Sequence, residues 1–257
     1  MTAATGERRV LRISGEEARE FLQGLVTNDV RKLDAGLVYA AMLTPQGKYI
    51  ADFFLVPQDD GAVLLDVAAP LAEDLVKRLS LYKLRAKVTI EPSELAVSRG
   101  TGPMPEGAFA DPRHPDMGWR LYGSGNAGDD TDWDARRVAA CVPETGIELT
   151  PDTFILEAGF ERLNGVDFRK GCYVGQEVTA RMHHKTELRK GLATVEVEGA
   201  APPGTPIEAE GKSAGMLYTQ AGGRGIAFLR FDRAKGAMTA GDARVHRPAE
   251  AQATDDA

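Results

Sequence analysis

Cysteine is nearly missing: the chain of 257 residues holds two, with no regular spacing. That rules out a disulfide framework and suits a reducing compartment. Histidine is almost as scarce, with four. The adjacent pair His183-His184 diverges by about 100° if helical and has no second spaced pair, so no metal site is expected. Positive charge is in deficit, 31 Lys and Arg against 38 Asp and Glu, for a net charge of −7. Such a chain is a poor non-specific ligand for nucleic acid, where binding rests on phosphate neutralisation, and none is expected. No apolar run approaches the roughly 20 residues of a membrane span. The start Met1-Thr2-Ala3-Ala4-Thr5-Gly6 offers neither an apolar signal core nor room for an amphipathic transit helix, so the cytoplasm is the expected location. A monomer is expected, with a small, acidic, disordered tail over 248–257.

What is present is an ordinary globular composition, 43% hydrophobic and 27% charged. Ser14-Gly15-Glu16-Glu17 reads as a capping box for a helix from about Gly15 to Leu25, ended by the polar Thr27-Asn28-Asp29. Val38 to Leu43 and Tyr49 to Val56 flank Thr44-Pro45-Gln46-Gly47-Lys48, a hairpin turn. A strand over Ala62 to Val67 precedes Pro70, which stands at a helix start before Leu71, Leu75, Val76 and Leu79. Strands are expected at Lys87 to Glu91 and Leu95 to Ser98, then a loop-rich stretch over 100–131. Helices follow at Trp133 to Cys141 and, capped by Thr150-Pro151-Asp152, over Phe154, Ile155 and Ala158. From Gly191 the period falls to two, predicting a small all-β unit over roughly Leu188 to Val245. Helices mixed with antiparallel hairpins argue for an α+β fold.

The chemistry concentrates in Arg169-Lys170-Gly171-Cys172-Tyr173-Val174-Gly175-Gln176-Glu177. A free cysteine is ordinarily a small buried hydrophobe, and Cys141, in Val138-Ala139-Ala140-Cys141-Val142, keeps that reading. Cys172 stands instead among cations and glycines, with Arg181 further on and a helix start after Gly175, all of which favour thiolate. Gly171 and Gly175 leave room for a ligand or a partner's backbone.

Lys170-Gly171-Cys172-Tyr173-Val174-Gly175-Gln176-Glu177 followed by Arg181 resembles the signature of the YgfZ folate-binding family. Weaker support comes from Phe21 to Val30, Leu43 to Lys48, Tyr82-Lys83-Leu84-Arg85, Asp111-Pro112-Arg113 with Gly118-Trp119-Arg120, and Gly225 to Arg230, so the likeness spans residues 8 to about 232. It implies a multidomain arrangement like the T-protein of the glycine cleavage system: a discontinuous N-terminal domain, a ferredoxin-like insertion and a C-terminal β-barrel around a central channel. The corresponding domains are 1–186, two interleaved α+β subdomains, and 187–247, the barrel. It also implies tetrahydrofolate or a one-carbon derivative as cofactor, iron–sulfur client enzymes or cluster carriers as partners, and a link to tRNA modification.

Two cysteines cannot hold a cluster that needs about four thiolates, so Cys172 could serve only as one ligand shared with a partner or small molecule. The resemblance makes Cys172 the reactive centre with Lys170 and Glu177 beside it, and Trp133, Asp52, Tyr173, Gln176, Arg181 and Asn28 the folate contacts. Trp133 is favoured over Trp119 for stacking on a pterin. Arg8 stands where some relatives carry an aromatic residue. Two alternatives stay open: a folate-dependent aminomethyltransferase or demethylase, and a non-catalytic folate-gated adaptor. T-proteins place two adjacent aspartates in the matching hairpin, whereas Gly47-Lys48-Tyr49-Ile50-Ala51-Asp52 has Ala51 for the first of them, a departure that weighs against transferase chemistry.

Overall fold

A computed structural model of the chain describes residues 7–124, 130–184 and 188–248. The segments expected to form the N-terminal start and the acidic tail after Pro248 lie outside the described residues. The chain forms two units, the first from the described residues of Met1–Thr131 and Glu161–Val178, the second from those of Asp132–Phe160 and Thr179–Ala257. The first unit is therefore discontinuous in sequence.

In the first unit, β1 (Arg8–Ser14), β2 (Val38–Leu43), β3 (Tyr49–Pro57), β4 (Val63–Ala68) and β5 (Thr89–Ser93) form an antiparallel sheet in the order β2-β3-β4-β1-β5. Side chains alternate across a strand. One face, with Ile13, Ala40, Met42, Ala51, Phe53, Leu55, Leu65 and Val67, packs on α1 (Ala18–Gln23) and α2 (Ala69–Lys83) through Leu22, Leu75 and Leu79. Pro70 does stand in the first turn of α2, where its missing N–H costs nothing.

On the opposite face, β6 (Ala96–Gly100), β7 (Phe109–Ala110) and β8 (Trp119–Gly123) form a second sheet that joins Val10, Val56 and Leu64 through Val97, Phe109 and Tyr122. A buried ionic lattice ties this layer down. The Asp66 carboxylate accepts from Arg8 Nε at 2.6 Å, Arg120 Nη1 at 3.2 Å and the Tyr122 hydroxyl at 2.9 Å. Asp111 accepts from Arg120 at 3.1 Å and from Arg113 at 3.0 and 2.8 Å. The guanidinium carbons of Arg120, Arg113 and Arg8 lie 3.8, 4.8 and 5.7 Å from the centre of the Phe54 ring. Removing Asp111 from water would raise its pKa, but Arg113 and Arg120 outweigh that and hold it at about 2.

The second unit is a closed barrel of β9 (Lys190–Glu198), β10 (Thr205–Ala209), β11 (Lys212–Ala221), β12 (Arg224–Arg230), β13 (Met238–Ala240) and β14 (Ala243–His246), in the order β10-β11-β12-β9-β14-β13. Its interior is Val195, Val197, Ile207, Leu217, Ala227, Leu229 and Val245, of which Val195 and Val197 lie on the period-two run that starts at Gly191. Outside it, α3 (Trp133–Ala140) sets Val138 and Cys141 against Ile226. Arg137, 2% exposed, clamps α3 in place. Its guanidinium donates to the Val142 carbonyl, Glu148, Asp134 and Thr219, at 3.0 to 3.2 Å. The last described helix, α4 (Gln176–His183), runs across the sequence boundary between the units.

Two local expectations fail. No capping box forms at Ser14, which continues β1 opposite Thr89, while the Glu17 carboxylate accepts from the Lys87 backbone N–H at 2.5 Å instead of turning to its own helix. The helix expected over Phe154 to Ala158 is a string of turns. Glu157 gives its carbonyl to Leu192 N at 2.7 Å, and Gly159, at φ +76°, ends any helical continuation.

Candidate functional site

The loop that carries Cys172 is fixed in the first unit by a buried ammonium. Lys170 is 5% exposed, and its three N–H donors face three carbonyls: Gln23 at 2.8 Å, Val26, and Asn28 at 3.0 Å. The Gln23 carbonyl belongs to the last turn of α1, where backbone acceptors have no helical partner and a cation is favoured. Burial lowers the Lys170 pKa to about 8, against the pull of Asp29 and Asp167. The Tyr173 ring covers the ammonium, its centre 5.0 Å from Nζ.

Asn28 knots the same two segments. Its amide donates to the Tyr39 carbonyl at 2.8 Å and the Asn164 carbonyl at 2.7 Å, and its Oδ1 accepts from Asp29 N and Lys32 Nζ, each at 2.8 Å. Lys32 also pairs with Asp167 at 2.8 Å, and Asp167 accepts from Arg169 N at 2.7 Å. Burial works to raise the Asp167 carboxyl, but these donors hold it below its ordinary value. Thr27 completes the stitching, donating to the Gly165 carbonyl at 2.7 Å. Asn28 and Lys170 thus spend their hydrogen-bonding capacity inside the protein. The sequence gives no sign of Lys32, Thr27 or Asp167 as members, because nothing in the chain order joins residues near 30 to residues near 167.

Beyond Lys170 the chain surfaces. Gly171 and Cys172 are exposed, and a Cβ on Gly171 would meet nothing within 4 Å. Tyr173 turns back inside, and Gly175, at φ +85°, lies against the β2–β3 turn, where a Cβ would fall 2.6 Å from the Thr44 carbonyl oxygen. Reciprocally, a Cβ on Gly47 would fall 2.8 Å from Val178 Cβ. The two glycine-bearing motifs of the sequence therefore mesh, and α4 begins directly after them, with Glu177 exposed in its first turn, where the helix dipole favours a carboxylate. Gln176 N donates to the Tyr173 carbonyl at 3.2 Å. Cys172 is thus a solvent-facing thiol on a loop anchored on both sides, while Cys141 is buried.

Asp52 is 4% exposed and accepts from the Tyr49 hydroxyl at 2.7 Å and the Tyr39 hydroxyl at 3.0 Å. Burial and then the Asp52 charge push the Tyr39 hydroxyl well above the usual tyrosine range. Ala51, its neighbour on β3, points the other way into the apolar core. The inference drawn from Ala51 against transferase chemistry is thereby corrected: an acid at position 51 would face the core, and Asp52 is the one that shares a face with Tyr39. Trp133 and Arg181 belong to the second unit, Trp133 half-buried at the first residue of α3 and Arg181 exposed on α4. The rings of His183 and His184 stand edge to face, 5.7 Å apart. Among the described residues no group of three or more His, Cys, Asp or Glu side chains is arranged to hold a metal ion.

The fold and the barrel are both found among known proteins. Residues 189–252 match the family described as the CAF17 C-terminal β-barrel domain. The solved glycine cleavage system aminomethyltransferase T of Bartonella henselae superposes with a TM-score of 0.72 over 93% of this chain and 83% of its own, at 13% identity. The chain is 35% identical to the mouse mitochondrial iron–sulfur cluster assembly factor IBA57 and 34% identical to the human one, each over 90% of this chain and 78% of the relative. Both are mitochondrial proteins by name, which overturns the cytoplasmic location expected from the sequence. These names bear on cluster assembly rather than on tRNA modification, and they point to IBA57 rather than to YgfZ itself. With such identity over nearly its whole length, the chain belongs to the family of the iron–sulfur cluster assembly factor IBA57, on the T-protein fold.

Proposed function

We propose that this protein is a folate-binding accessory factor of iron–sulfur cluster assembly, working with cluster carriers or client enzymes, and that Cys172 is its reactive group. The observation that carries the reading is the setting of that thiol: exposed, preceded by the caged ammonium of Lys170 and followed by the meshed Gly175. A thiol held out by so fixed a loop is built to meet a soft partner such as iron or an electrophile. In this reading Lys170 positions the loop and does not touch the reacting atoms.

Each unit by itself carries side chains of the kind a reduced folate uses: in the first, Asp52 is an acidic acceptor for pterin N–H groups, and in the second, Trp133 is an aromatic plane and Arg181 a cation for the glutamate tail. Tyr173 and Gln176 follow the thiol in the chain, and Glu177, exposed in the first turn of α4, can orient what binds there. Asn28 acts on the loop and not on the ligand. When bound, the folate would supply or accept a one-carbon unit.

Two measurements test the reading. Saturating tetrahydrofolate at a hundredfold excess over its dissociation constant stabilises a native-state binder by about 2.7 kcal/mol, and an unmoved melting curve would remove folate from the function. Cys172→Ser keeps the volume and loses the soft, ionisable sulfur; it is expected to fold normally and to fail in restoring iron–sulfur enzyme activity in cells that lack this protein. Full restoration by the serine variant would remove the thiol. A second reading, a folate-dependent aminomethyltransferase, is kept open by Asp52, which faces away from the core; steady methylenetetrahydrofolate formation from an aminomethyl donor would favour it.

A further inference from the structure

The C-terminal end of α2 presents apolar side chains to water. Leu81 is 75% exposed, Tyr82 40% and Leu84 88%. Scattered exposed leucines are ordinary, but these three lie within four residues of one another. Leu84 also has φ +42° and ψ −104°, a backbone conformation that glycine would adopt without strain. A leucine held there, nearly bare, gains nothing for the fold from either its side chain or its backbone.

The charge that the tip's own stretch of chain carries is of one sign. The stretch 77–87 carries Lys77, Arg78, Lys83, Arg85 and Lys87 and no acid, on a chain of net charge −7. Lys77 pairs with Asp74 and Lys87 with Glu16. Among the described residues Arg78, Lys83 and Arg85 have no ion-pair partner.

We propose that this tip is a docking surface for a partner protein that offers an apolar pocket rimmed by carboxylates, with Leu81, Tyr82 and Leu84 as anchors and Arg78, Lys83 and Arg85 as the charge-matching rim. An aromatic and arginines around an apolar centre is the composition of interface hot spots, and a local cationic rim on an acidic molecule selects acidic partners and speeds their encounter. A second copy of the chain is disfavoured because two basic tips would meet. A lipid surface is disfavoured because even a full myristoyl chain gives only marginal membrane binding, and two leucines and a tyrosine offer less. The inference is independent of the reading of Cys172.

The test places the photo-crosslinking residue p-benzoylphenylalanine at Leu81 or Tyr82 of the full chain in living cells, with Met104, 58% exposed, as the control position. Irradiation is expected to give one discrete adduct from positions 81 and 82 and not from 104, with an acidic protein as the captured species by mass spectrometry. Arg78→Glu with Arg85→Glu should cut the adduct about tenfold or more while the melting temperature stays put, since steering by charge is worth that much in association rate. Adducts to lipid, to a second copy or equally from Met104, a yield indifferent to charge reversal, or no adduct at all would each overturn the proposal. An acidic partner unconnected with iron–sulfur proteins would uphold the surface and count against the proposed function alone.

Discussion

The ammonium of Lys170 lies 3.0 Å from the Asn28 carbonyl oxygen while the Asn28 side chain donates to Asn164, so each residue grips the segment that carries the other. Lys170→Met keeps the stem and deletes all three donors, leaving buried carbonyls without partners. A loss of about 2–4 kcal/mol is expected. Because burial lowers the folded-state pKa from 10.5 to about 8, the unfolded chain holds the extra proton between those values, and stability rises with pH across that window. Urea unfolding of parent and Lys170→Met at pH 7.5, 9 and 10 should therefore show the parent's advantage growing with pH. A constant difference would mean that the amine does not titrate there.

Ala51 and Asp52 make a paired test of facing. Ala51→Asp would push a carboxylate into the core beside Phe53 and Leu55 and is expected to cost about 3 kcal/mol or more, with no gain in aminomethyl transfer. Asp52→Asn keeps the shape and the acceptor oxygen, so stability should change less, while any folate affinity that depends on the charge should fall. A stable, transfer-active Ala51→Asp protein would contradict the assignment of faces.

Asp111 lies between two guanidiniums and has a folded-state pKa of about 2. Its depressed value means that its contribution is present above the ordinary carboxylate range near pH 4 and is lost as pH falls through about 2. Asp111→Asn leaves Arg113 and Arg120 buried with one less charge to face and should cost about 3–5 kcal/mol, with a correspondingly smaller loss of stability between pH 4 and 2. Acid titration of the two proteins by near-ultraviolet circular dichroism would show it.

Arg137 should act on the second unit alone. Arg137→Ala strands Glu148, whose carboxylate also takes the Thr219 hydroxyl at 2.5 Å and Glu144 N at 2.8 Å. A loss of about 3–5 kcal/mol follows, whereas Arg137→Met with Glu148→Gln should recover part of it. Equal stability of the single and double variants would show that the clamp is not coupled.

Legibility in the sequence followed the range of the interactions. The β2–β3 hairpin, the Pro70 helix start and the period-two barrel rest on local pattern, and all three stand. The contrast between Cys172 and Cys141 was visible because their neighbours differ so sharply. Lattices such as Asp66 with Arg8, Arg120 and Tyr122 could not be read, since strands 54 and more residues apart supply them. The turns over Phe154 to Phe160 carried helical spacing, and a distant strand claimed the Glu157 carbonyl. Ala51 misled because adjacency in a strand means opposite faces.

The pairing of β9 with β14 sets a schedule for synthesis. Glu198 closes on Arg244 and Val197 on Val245, so one edge of β9 stays open while some 46 further residues leave the ribosome, about 2–9 s at ordinary elongation rates. Its other edge waits for β12. A nascent chain stalled before β14 would expose a barrel with an unfilled slot and one open edge of the strand that carries Leu192, Val195 and Val197, a ready substrate for chaperones and for aggregation. Truncations that trim only β14 are therefore expected to be lost as insoluble or degraded chains rather than to accumulate as shortened folded protein.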